Sequence, residues 1–224
     1  MDAATLSTAI DATIAAAPWE SGYLRLVVTR GVGALGLDPR SCTAPSVFIL
    51  AGTLQLITAE GRRGARLIIA ATRRLGADGL DPRIKSLNYL NPILARLEAQ
   101  YAGADEAIML NAAGRVAEGT ADNVFIVRAR RLLTPPVTEG ALEGVTRGIL
   151  LELAGAAGIE ALERPLSPYD LHTADECLLT GTAAELVPVA EIDGRPLRHC
   201  PGPVYTELAG RFQQLVAAET REAS

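Results

Sequence analysis

Small and aliphatic residues recur at helical spacing from Ala3 to Ala17, and Pro18 ends that pattern, which predicts an opening helix. The period then shortens. β-branched and aliphatic runs at Tyr23 to Thr29, Ser46 to Leu50 and Leu67 to Thr72 predict strands, with Gly/Pro-rich loops at Gly31 to Pro45 and Gly61 to Gly64. The turn-rich stretch Gly76 to Pro82 reads as a linker between two domains. Beyond it the spacing predicts helices over Pro92 to Ala102, Thr146 to Ala156 and Pro203 to Ala218, with Gly158 stopping the second. Strands are predicted over Glu106 to Asn111, Asn123 to Val127, Glu176 to Thr180 and Leu186 to Val189. Helices and strands mix without regular βαβ alternation, so the expected class is α+β, without internal repeats. The expected division is a partial small α/β domain at 1–75, a linker at 76–84 and a large domain at 85–224.

Composition narrows the functional classes. The 224 residues are 49% apolar and 21% charged, as in a soluble globular protein, and the net charge of -5 gives no support to binding nucleic acid or an anionic membrane. Cys42, Cys177 and Cys200 are odd in number and form no CxxC pair, so neither a disulfide framework nor a zinc site is expected and a reducing cytoplasm fits. No signal peptide and no run long enough to span a bilayer is visible; Leu67-Ile-Ile-Ala-Ala71 is strand-sized. With only His172 and His199, a catalytic triad or histidine-rich metal site has little to work with, and neither gets a role.

One residue type is nearly missing. Of 21 basic residues, 20 are arginine, and the exception is Lys85. Arginine cannot offer a neutral nucleophilic nitrogen and so cannot form a Schiff base, whereas a desolvated lysine can. Lys85 lies just past the linker, where two domains could converge on a cleft. Downstream, Glu118 is followed by Gly119, where backbone can approach a ligand closely; taken alone, Glu118 also fits a solvated turn. Leu142-Glu-Gly-Val-Thr-Arg-Gly148 puts a glycine turn before a helix, aiming the amides of Val145 and Thr146 outwards as a phosphate site, although an ordinary Thr cap fits equally. Thr180-Gly-Thr-Ala-Ala-Glu185 offers amides and hydroxyls for an anion, or is a simple tight turn.

Four strings occur in one order: Ile-Lys-Ser-Leu-Asn-Tyr-Leu-Asn at 84–91, Glu-Gly-Thr-Ala-Asp-Asn-Val-Phe at 118–125, Gly-Val-Thr-Arg at 144–147 and Thr-Gly-Thr-Ala-Ala-Glu-Leu-Val-Pro-Val at 180–189. That order resembles the class IV, or fold type IV, pyridoxal-phosphate aminotransferases, and most closely the branched-chain amino acid aminotransferases, from about Tyr23 to about Phe212. The resemblance implies a two-domain fold of the D-amino acid aminotransferase type. By similarity, Lys85 would bond to pyridoxal 5'-phosphate and shuttle the proton between substrate Cα and cofactor C4′. Glu118 would keep the pyridine nitrogen protonated, which improves the ring as an electron sink. Tyr89 would hydrogen-bond the phenolic oxygen; Val145, Thr146 and Thr182 would hold the phosphate. Thr182 and Ala183 would receive the substrate α-carboxylate, and Tyr23 and Arg25 would line the substrate pocket. The implied reaction is transamination of leucine, isoleucine or valine with 2-oxoglutarate, in a homodimer or larger homo-oligomer.

The resemblance departs at the front. Family members carry further residues ahead of the opening helix, with strands of the small domain and an arginine on the cofactor phosphate. The small domain is therefore expected to be incomplete, and the chain as written to be a poor or inactive catalyst, since losing an arginine–phosphate contact costs about 1.5–3 kcal/mol. Near alternatives are the aminodeoxychorismate lyases, which tend to lack the tyrosine supplied here by Tyr89, and the D-amino acid aminotransferases, which carry an arginine and histidine where this chain reads Val32-Gly-Ala-Leu-Gly-Leu-Asp-Pro39. A non-catalytic remnant that pairs with a longer relative is an alternative of another class.

Overall fold

In a computed structural model, residues 2–19, 22–53 and 63–222 are described, and the chain divides into two compact units at 55/56. That division falls ahead of the expected linker. In the first unit, helix α1 (Ala3–Ala15) is capped by Asp2, whose Oδ1 accepts the Thr5 amide at 2.9 Å. Strands β1 (Tyr23–Thr29) and β2 (Ser46–Gly52) pair antiparallel, Tyr23 opposite Gly52 and Thr29 opposite Ser46. None of the unit's described residues is buried, and Leu24, Leu26, Val28, Phe48 and Leu50 are exposed.

The second unit holds the core. Its strands are β3 (Ala65–Ile69), β4 (Glu106–Leu110), β5 (Val116–Gly119), β6 (Asn123–Arg128), β7 (Arg131–Thr134), β8 (Ala161–Glu163), β9 (Glu176–Gly181), β10 (Glu185–Ile192) and β11 (Arg195–Pro196). Among the described residues they form one nine-stranded sheet in the order β5-β4-β3-β10-β9-β6-β7-β8, with β11 beside β10. β3 runs parallel to β4 and β10, and β7 parallel to β8; the other pairs are antiparallel. The run expected in the small domain is therefore a strand of the large sheet. Its partner β10 lies far along the chain, and that pairing draws residues 65–69 into the second unit.

Helices α2 (Ala77–Leu80), α3 (Leu90–Tyr101), α4 (Val145–Ala156), α5 (Pro168–His172) and α6 (Pro203–Glu222) complete the unit. Strand alternation sends Phe125, Val127 and Leu178 to the face covered by α4 and α6, where they pack with Leu150, Ala154 and Leu208. The opposite alternation, Val124, Ile126 and Leu179, packs against Leu67, Ile108 and Val187. Ala107 and Met109 meet Ala95 and Ala99 of α3. Phe125 and Leu150 are completely buried, worth about 1.5–3 kcal/mol each.

Candidate active site

The site begins at Glu118, on β5 opposite Met109 of β4. The residue is buried on a strand, so the solvated-turn alternative is not what the fold builds. Its Oε1 pairs with Arg74 at 2.7 Å, and its Oε2 accepts the Leu142 amide at 2.9 Å and the Asn123 side-chain amide at 3.3 Å. A carboxylate has about four acceptor positions, so these donors leave room for a further N–H. Burial pushes the Glu118 carboxyl up, and the charge of Arg74, the Leu142 amide and the charge of Lys85 act against that rise. Lys85 therefore stands within electrostatic reach of Glu118. It sits in the segment between α2 and α3 and is exposed, so the protein by itself does not supply the desolvation its chemistry favours.

Asn123 joins the parts. Its side-chain amide donates to the Leu142 carbonyl at 2.9 Å as well as to Glu118. A side chain at Gly144 would collide with its Oδ1, which is why a glycine precedes α4. Gly144 is the N-cap of α4 and no side chain caps that end, so the amides of Val145 and Thr146 begin the helix free of a cap, with Val145 exposed and Thr146 buried. Thr146 is thus the second helical residue and not the cap. Asn123 also faces Thr180 across the β6–β9 pair. Thr180 shares the α4 face by alternation, and its Oγ1 is buried without a hydrogen-bond partner. Thr182, exposed, and Ala183, half-buried, form the turn between β9 and β10.

Tyr89 precedes the first turn of α3 and lines a cavity of about 190 Å³ with Pro92, Ile93, Arg96, Glu106 and Asp122. The fold thus gathers Glu118, the start of α4 and the end of β9 around one asparagine, with Lys85 within electrostatic reach of Glu118. Tyr23 and Arg25 lie on β1 of the first unit, Tyr23 half-buried and Arg25 exposed. Sequence reasoning missed Arg74, Asp122 and Asn123. Asn123 carried a signal, a polar residue opening an apolar strand, which has to find partners once buried. Arg74 carried none.

The family model of amino-transferase class IV matches residues 1–192. The chain belongs to that family. It is 50% identical over 194 residues to a putative branched-chain-amino-acid aminotransferase of Methanocaldococcus jannaschii, covering 86% of this chain and 67% of that one. The crystal structure of branched-chain aminotransferase from Thermoproteus uzoniensis with norvaline superposes with a TM-score of 0.89 at 37% identity, covering 96% of this chain and 72% of that one. The branched-chain amino acid aminotransferase from Thermobaculum terrenum, crystallised in its PLP form, gives 0.82 at 32%, covering 94% and 69%. This class IV aminotransferase chain thus spans about two thirds of the M. jannaschii protein and somewhat more of the two crystallised ones. No helix among its described residues is long and apolar enough to cross a membrane.

Proposed function

We propose that this chain carries the machinery for transamination of leucine, isoleucine or valine with 2-oxoglutarate, using pyridoxal 5'-phosphate held by the second unit, with weak activity expected of the chain as written. The observation that carries the reading is Glu118, buried, held by three donors, open to one more and within electrostatic reach of the chain's one lysine. The donor set suits the cofactor. An uncapped helix end accepts a phosphate, a buried carboxylate accepts a ring N–H, and the Thr180 hydroxyl is an unmet polar group in the same place. Pyridoxal phosphate, when bound, supplies the electron sink that lets an amino acid release its Cα proton.

The protein supplies the rest. Lys85 Nζ would anchor the cofactor and would carry the proton between substrate Cα and cofactor C4′. Glu118 keeps the ring nitrogen protonated, and Arg74, Asn123 and the Leu142 amide fix that carboxylate so that it does not reorganise. Val145 and Thr146 amides hold the phosphate, with Thr182 adding a contact, and Tyr89 holds the phenolic oxygen. The amides of Thr182 and Ala183 orient the α-carboxylate. Tyr23 and Arg25 of the first unit are the proposed substrate contacts outside the second unit, with Arg25 the candidate for the second carboxylate of 2-oxoglutarate. A homo-oligomer is the assembly we infer, supported by the exposed stripe Leu90, Ile93, Leu94 and Leu97 along α3.

The test is the visible spectrum of the purified chain with pyridoxal phosphate, beside Lys85→Ala. The expected result is a band that borohydride abolishes, a reduced adduct on the peptide containing Lys85, and glutamate formed from 2-oxoglutarate when leucine is added. A folded chain showing neither band nor adduct would overturn the reading. An adduct on Lys85 with no glutamate from any branched-chain donor would overturn the substrate assignment alone.

A further inference from the structure

Asp122 is one of three carboxyls packed together beside the site, and among the described residues it is the one without an ion pair. Glu118 has Arg74 at 2.7 Å, and Glu106 has Arg96 at 2.7 Å while also accepting the Thr120 amide at 3.2 Å. Asp122 is 4% exposed, and its Oδ1 has no hydrogen-bond partner among the described residues. Its backbone is fixed independently, because its carbonyl accepts the Gly119 amide at 2.7 Å, one residue after Glu118. Its side chain fills the place that a Cβ at Gly181 would occupy, since such an atom would collide with Oδ1. Gly181 ends β9 and opens the turn that carries Thr182 and Ala183. Behind Asp122 lies the cavity of about 190 Å³ that it lines with Tyr89, Arg96 and Glu106.

We propose that Asp122 is a positioning residue of the active site, whose buried carboxyl supports the Gly181–Thr182–Ala183 turn from beneath and links its placement to the Glu118 strand. The substrate part of this inference rests on the proposed function; the support of the turn does not. The groups facing Asp122 fix the consequence for pH. Burial and the charges of Glu106 on β4 and Glu118 on β5 push its carboxyl up to about 7, against Arg96 on α3. Protonated, it adds no charge under a turn that receives a carboxylate. Ionised, it puts a negative charge there and opposes the anionic substrate.

Two measurements test this. The first is amide hydrogen exchange of the peptide covering residues 181–185 in the cofactor-free chain. At pH 6, Asp122→Asn, which keeps the shape and a neutral polar head, leaves exchange as in the parent, and Asp122→Ala speeds it. Gly181→Ala, which presses a methyl group onto Oδ1, also speeds it and serves if Asp122→Ala does not fold. Turn exchange in Asp122→Ala or Gly181→Ala equal to the parent would overturn the proposal, whether or not the chain binds pyridoxal phosphate. The second is KM for leucine from pH 6 to pH 8 in the loaded protein. If only the protonated form accepts the substrate, KM rises roughly tenfold across that range in the parent and stays level in Asp122→Asn, with kcat little changed. A KM rise of the same size in both would overturn the link to the substrate. Absence of any transamination in the parent would sink the proposed function and leave the exchange result standing.

Discussion

Replacing Asp122 by asparagine should stabilise the protein, increasingly as the pH rises. The carboxyl lies near 3.8 in the unfolded chain and about 7 in the folded one, so between those values the folded state binds a proton that the unfolded state has released. Stability therefore falls as pH rises through that window, and the full penalty is present above pH 7. A shift of about three units at ~1.4 kcal/mol each gives ~4 kcal/mol. Local relaxation around an ionised Asp122 trims the observable effect to about 2–4 kcal/mol. Asparagine does not titrate, so the two proteins should have similar stability near pH 4 and diverge to that difference by pH 8.

The assay is urea denaturation of the cofactor-free chain at pH 4.5, 6, 7 and 8, followed by far-UV circular dichroism. Tryptophan fluorescence would follow the wrong part of the molecule, because the single tryptophan, Trp19, belongs to the first unit. Parent and Asp122→Asn curves that keep a constant separation from pH 4.5 to pH 8 would refute the reasoning. They would mean that Asp122 is ionised throughout and that Arg96 or an ordered water satisfies it.

Asn123→Leu removes the donor to the half-buried Leu142 carbonyl and one of the three donors to Glu118, and should lower the urea stability by about 1–3 kcal/mol. Arg74→Ala strips the buried Glu118 of its ion pair and should cost about 3 kcal/mol, with weakened pyridoxal phosphate binding read by absorbance titration. Gly202→Ala drives a methyl group into Glu176, whose two oxygens accept the Val204 and Tyr205 amides at the head of α6 at 3.0 and 2.8 Å; a loss above about 2 kcal/mol is expected. Leu94→Arg in the α3 stripe should shift the sedimentation coefficient toward the monomer.

Local patterns carried most of the elements. α1, β1 and α4 fall within a residue or two of their expected ends, because their apolar spacing and their Pro and Gly stops act locally. β5 and β8, of four and three residues, are too short to show a period, and their pairing with β4 and β7 creates them. The placement of β3 was illegible for a related reason. Its own residues say strand, but only the distant β10 and β4 say which sheet. The four motif strings were visible as strings. What they could not reveal was how Asn123 binds Glu118 of its own string together with the Leu142 carbonyl and the approach to α4, since the last two are remote along the chain.

A cheaper solution to the packing problem at position 122 is easy to name, and its absence is informative. Asparagine would fill the same volume beneath Gly181 without adding a third acid to Glu106 and Glu118, and the fold would gain stability at neutral pH. Sequences that surrender a few kcal/mol in one place usually do so where function constrains the residue. The position of Asp122 identifies that constraint, because it lies in the turn between β5 and β6 and its carboxyl touches the end of β9. A group there feels the protonation of the Glu118 surroundings and passes it to the Thr182–Ala183 turn through one contact, with no moving part between them. Glu118 and Glu106 are each paired with an arginine, and the acid that lies against Gly181 is Asp122.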